Sequence, residues 1–192
     1  MNHTFVFATA NEHKISELKG ILPGFIIKGL RDVGINEDIP EDGATLEENA
    51  LIKAKYLFDK TGLIALSEDT GLEVDALEGS PGVHTARYAG EQKNPDDNIH
   101  RLLQELKGKK DRGAQFRTVI CYYNGVEPLF FTGIVKGLIA ESRSGSEGFG
   151  YDPVFIPEGY TDTFASLSAD IKNKISHRAR AVASFMDFLN GK

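Results

Sequence analysis

Four short segments of this 192-residue chain carry side chains whose types and spacing could do chemistry. The first is Thr9-Ala10-Asn11-Glu12-His13-Lys14, directly after an apolar run. A strand feeding a helix here would present free backbone N–H groups and the positive end of the helix dipole. Thr9 and Asn11 add short polar groups and Lys14 adds a cation, a combination that suits phosphate. The segment is not a Walker loop, because G-x-x-x-x-G-K-[ST] is absent, and it reads equally as a capped helix with a solvated lysine. The second is Ser67-Glu68-Asp69-Thr70-Gly71, with Glu73 and Asp75 nearby. Adjacent carboxylates suit Mg²⁺, which takes hard oxygen ligands and keeps several waters. A carboxylate can also take the proton of an attacking water. The alternative is an acidic surface turn.

The third segment is Glu147-Gly148-Phe149-Gly150-Tyr151-Asp152-Pro153. Small residues beside two aromatics would let a flat base lie against a ring, and Asp152 could accept hydrogen bonds from ring N–H groups. A structural turn is the alternative, and no dinucleotide-binding G-x-G-x-x-G is spelled. The fourth runs from Lys172 to Arg180 and holds Lys172, Lys174, His177, Arg178 and Arg180 in an otherwise acidic chain. Lys172 and Arg178 suit an anionic ligand, and His177 can donate to or accept from a base. A solvated helix start is the alternative, although cations there oppose the dipole.

The elements that must position these groups follow from periodicity. Phe5 to Ala8 reads as a strand, and Ile15, Leu18 and Leu22 mark a helix capped by Asn11. Thr45-Leu46-Glu47-Glu48 is a capping box opening a second helix. That helix has Ala50, Leu51, Ala54, Leu57 and Phe58 on its apolar face and ends at Gly62. Leu63 to Leu66 predicts a short strand, Asp69-Thr70-Gly71 a turn, and Leu72 to Ala76 a second strand with one buried face. Ser80-Pro81-Gly82 predicts a turn and Asp96 to Leu106 a helix. Phe116 to Tyr123 and Leu129 to Ala140 predict a hairpin around Asn124-Gly125. Ser142 to Gly150 predicts a glycine-rich loop and Val154 to Ile156 a short strand. A last helix is expected from Ser176, burying Val182, Phe185, Met186 and Leu189. This mixture predicts an α/β fold with a mixed central sheet flanked by helices. In such sheets ligands gather at the carboxyl ends of strands.

Composition narrows the function. Hydrophobic residues are 41% and charged residues 26%, ordinary for a globular chain of one domain or two lobes sharing a core. The net charge of −6 and the lack of a basic stripe argue against nucleic acid. No apolar run approaches the ~18 residues of a membrane span, and the N-terminus lacks a signal-peptide pattern. The single Cys121 cannot form an intrachain bridge and reads as a packed residue. A cytoplasmic protein is expected. His3, His13, His84 and His100 show no zinc spacing, and there is no G-x-S-x-G elbow.

Taken in order, these segments resemble the inosine/xanthosine triphosphate pyrophosphatase family, also called Ham1-like. Thr9 to Lys14 resembles its T-x-N-x-x-K, Glu48-Asn49-Ala50 its E-N-A, and Ser67 to Leu72 its D-D-S-G-L. Ser80-Pro81-Gly82 with Ala86-Arg87-Tyr88 resembles P-G-x-x-[ST]-A-R-[YF]. Gly148 to Pro153 matches G-F-G-Y-D-P, and Ile175 to Arg178 matches I-S-H-R. Six motifs in register cover nearly the whole chain. The resemblance implies a single domain of two lobes over residues 1–192, with the active site in the cleft. It implies hydrolysis of ITP, dITP and XTP to the monophosphate and pyrophosphate, a Mg²⁺ requirement and a homodimer. It implies Asp69 as the catalytic carboxylate, and Asp69 with Glu41 as metal ligands, Glu37 being the alternative to Glu41. Phosphate-side contacts fall on Thr9, Ala10, Asn11, Glu12, His13, Lys14, Thr70 and Lys172. Base-side contacts fall on Phe149, Gly150, Tyr151, Asp152, His177 and Arg178. Glu68 stands where Asp is usual and Thr70 where Ser is usual, so Glu68 has a longer arm toward any metal. The related Maf-type pyrophosphatases carry an S-x-S-P-R-R loop that is absent here. A nucleotide-binding regulator without turnover would not need Asp69, Glu68 and Lys14 together.

Overall fold

The computed structural model describes residues 4–191; His3 lies outside them. The strands are β1 (Thr4–Phe7), β2 (Ile26–Lys28), β3 (Ala65–Val74), β4 (Pro81–Gly82), β5 (Gly113–Tyr123), β6 (Pro128–Ile139) and β7 (Phe155–Pro157). The helices are α1 (Glu12–Ile21), α2 (Leu46–Thr61), α3 (Pro95–Glu105), α4 (Ala169–Ile175) and α5 (His177–Leu189). The strands form one mixed sheet in the order β2-β1-β3-β5-β6-β7, with β4 paired to β3. This is the α/β class expected from the sequence.

The chain divides into two compact units, and β3, β5 and β6 each contribute residues to both. The first unit holds Met1–Asp69, Thr118–Gly133 and Arg178–Lys192. Here β1 pairs in parallel with β2 and with the start of β3, Val6 opposite Ala65 and Phe7 opposite Leu66. Parallel pairing needs a crossover, which α1 and α2 supply. The core joins Phe7, Ile15, Leu18, Leu66, Ile120, Phe131, Val182 and Phe185. The second unit holds Thr70–Arg117 and Ile134–His177. Its core joins Leu72, Val74, Ile99, Leu102, Phe116, Val135, Phe155 and Phe164. β7 pairs antiparallel with β6, Leu138 opposite Ile156.

Local chemistry sets the helix ends as the sequence predicts. Asn11 Oδ1 accepts from Lys14 N at 3.2 Å, which starts α1. Thr45 Oγ1 accepts from Glu48 N at 3.1 Å, and Glu48 Oε2 accepts in return from Ala44 N at 2.6 Å. Gly62, left-handed at φ 66°, closes α2 through its N–H to Phe58 O.

Five local expectations are corrected. Asp69-Thr70-Gly71 is not a turn: β3 runs unbroken through it. Acidic residues and glycine are turn signals, but each buried carboxylate on this strand has a cationic partner, so tertiary pairing overrides the local preference. Leu63 and Ile64 lie before β3 and are exposed. Ser80-Pro81-Gly82 has a cis Ser80–Pro81 bond and includes β4, which pairs antiparallel with β3. The basic segment is not one helix start. Lys172 and Lys174 sit in the last turn of α4, where the dipole favours cations, and His177 opens α5 after Ser176. Leu189, expected inside, is exposed.

Thr45→Ala removes the oxygen that caps α2 and should cost about 1 kcal/mol in urea unfolding. An unchanged midpoint would mean the cap bond does not hold the helix start.

Candidate active site

Side chains alternate between the two faces of a strand, and on β3 this separates the two acids that sit side by side in sequence. Ser67 and Asp69 face α2. Ser67 Oγ donates to Ala50 O at 2.5 Å, anchoring strand to helix. The buried stripe of α2 is Leu46, Asn49, Ala50, Lys53, Ala54 and Leu57, with two polar members among apolar ones. Both reach Asp69. Lys53 Nζ donates to Asp69 Oδ1 at 2.8 Å, and Asn49 Nδ2 donates to Asp69 Oδ2 at 3.3 Å.

The same two residues of α2 also hold the acidic loop before it. Lys53 Nζ donates to Glu41 Oε1 at 2.5 Å. Asn49 Oδ1 accepts from Gly43 N at 2.8 Å. A Cβ on Gly43 would come within 2.7 Å of that oxygen and 2.9 Å of Asn49 N, so the loop can lie this close only as glycine. Burial works against the Lys53 ammonium, but the charges of Asp69 and Glu41 outweigh it and raise its pKa above the ordinary lysine value. Glu37 is engaged elsewhere: it accepts from Tyr56 Oη at 2.5 Å and pairs with Lys60 at 3.4 Å on the outside of α2. Of the two glutamates weighed for the metal, Glu41 is the one that shares Lys53 with Asp69.

Among the described residues no group of three or more His, Cys, Asp or Glu side chains is arranged to hold a metal ion. Mg²⁺ does not require one, since it binds through one or two carboxylates plus waters and substrate phosphates. Glu41 and Asp69 fit that donor set. Their oxygens converge on a single cation, the Lys53 ammonium.

Glu68 points the other way, toward α1 and α5. Arg178 grips it in two-pronged fashion, Nε to Oε2 at 2.7 Å and Nη2 to Oε1 at 2.8 Å. Lys14 Nζ lies 3.2 Å from the same carboxylate, and Arg178 Nη1 also donates to Glu17. Glu68 and Arg178 are each 1% exposed. Burial alone would raise the Glu68 pKa. Arg178 and Lys14 outweigh it and hold the carboxyl well below its usual range, while Glu68 and Glu17 push the Arg178 pKa up against burial. A carboxylate so committed is a poor base, and alternation along β3 turns it away from Asp69.

In the second unit the glycine-rich loop is tied to α4. Asp152 Oδ2 accepts from Lys172 Nζ at 2.5 Å and from Phe149 N at 2.7 Å. The Lys172 ammonium lies 5.1 Å from the Phe149 ring centroid, a cation–π distance. Gly148, at φ 74°, has no room for a Cβ, which would sit 2.1 Å from Asp152 Oδ2. Tyr151 is buried and donates to Thr85 O at 3.0 Å, so its hydroxyl anchors the loop. The His177 ring stacks on Phe116 at 4.6 Å. Thus Phe149, Asp152 and Lys172 are brought together, whereas Tyr151 and His177 are packed into the core.

The first segment behaves as a capped strand-to-helix turn. Thr9 Oγ1 accepts from Asn11 N at 3.1 Å. Ala10, Asn11, Glu12 and His13 are exposed, and Glu12 pairs with Arg31 at 3.6 Å. Thr70 is half-buried on β3. Cys121 is buried, and burial pushes its thiol up to about 12, which fits a packing role. Sequence reasoning missed Lys53 and Asn49. The signal was present: both fall in the same i, i+3/i+4 stripe as Leu46, Ala50 and Leu57, where a lysine has no reason to sit without a buried acid.

The depressed Glu68 contributes stability that is complete above the unfolded carboxylate value of 4.5 and lost as pH falls toward the lower folded value. Arg178→Met strands the buried charge and should cost about 3–5 kcal/mol in urea unfolding at neutral pH. The gap to wild type should narrow below pH 4.5, and a pH-independent gap would contradict the pairing.

A sequence model described as the Ham1 family matches residues 5–188. A dITP/XTP pyrophosphatase of Flavobacterium johnsoniae is 51% identical over 185 residues, covering 96% of each chain. One of Bacillus subtilis is 44% identical over 189 residues, again covering 96% of each. Among solved structures, the Staphylococcus aureus Ham1 protein superposes with a TM-score of 0.88 at 40% identity, covering 98% of both chains. A HAM1 protein from Coxiella burnetii superposes with a TM-score of 0.89 at 35% identity, covering 99% of this chain and all of that one. With this similarity over nearly its whole length, the chain belongs to the Ham1 family.

Proposed function

We propose that this chain hydrolyses triphosphates of deaminated purines, ITP, dITP and XTP, to the monophosphate and pyrophosphate, and so cleanses the nucleotide pool. The observation that carries the reading is the convergence of Glu41 and Asp69 on one cation, with Asn49 holding the second oxygen of Asp69. The activity for which the relatives are named supports the same chemistry. The reading takes residues 1–192 as one catalytic domain, working as a homodimer in the cytoplasm. No helix among the described residues is long and apolar enough to cross a membrane.

Glu41 and Asp69 would hold Mg²⁺, which when bound supplies charge neutralisation and polarises a phosphoryl oxygen. Asp69 takes the proton of the water that attacks the α-phosphorus. Its Oδ2 is fixed by Asn49, which sets the direction of the carboxylate. The exposed start of α1 offers backbone N–H groups to phosphate, with Thr9 to Lys14 and Thr70 on the phosphate side. Lys14 and Lys172 stabilise charge as pyrophosphate leaves. Glu68 acts on Lys14 rather than on water, through its 3.2 Å ion pair. On the base side, Phe149, Gly150 and Asp152 would face a 6-keto purine, while the packed Tyr151, His177 and Arg178 hold the loop and the start of α5 behind them. Adenine lacks the N1–H and O6 pattern, and a pocket built for that pattern leaves its own polar groups unpaired when adenine enters.

A panel of triphosphates assayed with and without Mg²⁺ should release pyrophosphate from dITP and XTP, at least about 10²-fold faster in kcat/KM than from ATP. Orthophosphate without pyrophosphate, or equal use of ATP, would overturn the reading. Asp69→Asn should lower kcat by about 10²-fold or more. Near-normal turnover would remove Asp69 from the chemistry.

A further inference from the structure

We infer that Lys53 is an internal stand-in for the divalent cation, its ammonium occupying the point on which Glu41 and Asp69 converge until nucleotide and metal displace it. The inference rests on the assignment of those two acids as the metal pair. Its ground is the geometry of one buried nitrogen. Lys53 Nζ lies 2.5 Å from Glu41 Oε1 and 2.8 Å from Asp69 Oδ1, and Lys53 is 5% exposed. Two carboxylate oxygens held within about 5 Å of one another in a partly dry site would repel strongly. The ammonium removes that repulsion and holds both acids in place for a metal that is not yet there.

The arrangement costs metal affinity. With Lys53 in place the trio carries one net negative charge rather than two, and the oxygens that would face a metal ion already face a cation. A metal ion can take both carboxylates only if the ammonium leaves. Lysine suits such a role better than arginine, being a compact charge on a flexible four-carbon stem. Leaving is costly in the free protein, because the ammonium would be stranded in a buried place. A triphosphate changes this by offering anionic oxygens to the displaced ammonium. The free protein should therefore bind divalent metal weakly, and nucleotide should tighten that binding. Asn49 and Gly43 make the device sharper: they fix Asp69 and the acidic loop independently of Lys53, so removing the lysine need not scatter the acids.

The test reads Mn²⁺ binding to nucleotide-free protein by electron paramagnetic resonance. Lys53→Met keeps an unbranched stem without the charge and should bind Mn²⁺ on the order of tenfold more tightly than wild type. Glu41→Gln, which keeps Lys53, should bind more weakly than wild type. Affinity in Lys53→Met equal to or below that of wild type overturns the inference. If Lys53→Met does not fold, Lys53→Gln, neutral and still a donor, serves the same comparison. A measurement on the wild type is independent of either variant: the Lys53 signal in a spectrum of ¹³C-labelled lysine should move when Mg²⁺ is added together with a non-hydrolysable triphosphate. A signal that stays in place overturns the inference. Failure of the metal-pair assignment looks different. In that case Mn²⁺ would bind with the same affinity to Glu41→Gln and to wild type, whatever Lys53→Met does.

Discussion

The structure depends on the burial of two neighbouring carboxylates on one strand. A carboxylate taken out of water without a partner costs several kcal/mol, so β3 can run through Glu68-Asp69 only where cations meet it from both sides. Lys53 arrives from α2 on one face, and Arg178 with Lys14 arrives from α5 and α1 on the other. Three helices of the first unit are therefore held to the strand by charge as well as by apolar packing. The positions of those helices in turn bring the acidic loop and the start of α1 to the strand.

The two faces have been given different tasks by the same alternation. Glu68 is sealed, paired with a fully buried guanidinium, and serves as an anchor for Arg178 and Lys14. Asp69 is slightly exposed, shares its lysine with Glu41, and has one oxygen held by a neutral amide. A neutral amide fixes the direction of a carboxylate without adding a competing charge. Sharing one lysine between two acids leaves the group with a net negative charge. The second unit shows the same economy on a smaller scale, where one Asp152 oxygen orders both the Lys172 ammonium and the backbone of the glycine-rich loop.

Much of this was legible in the residues. The caps at Asn11, Thr45 and Gly62, the hairpin residues and the amphipathic stripe of α2 act over a turn or two of chain, so local pattern reveals them. The acidic pair and the cluster of cations near residue 175 were visible as oddities, a charge pattern without a surface to explain it. Their pairing was not visible. Glu68 and Arg178 are 110 residues apart in sequence, and no local signal says which cation meets which acid. The unbroken β3 was hidden for the same reason. Acidic residues and glycine signal a turn until their distant partners are known.

What the sequence by itself determined is the inventory: the α/β class, the family resemblance carried by six ordered motifs, and an acidic pair with cations that could meet it. These depend on residue type and short-range spacing. Only the tertiary structure decided how the inventory is wired. It turned Glu68 away from Asp69, gave Lys53 to Glu41 rather than Glu37, and brought Lys53 and Asn49 to Asp69. The physical reason is that a buried charge is defined by what crosses space to meet it, and such contacts are made by packing strands and helices rather than by neighbours along the chain.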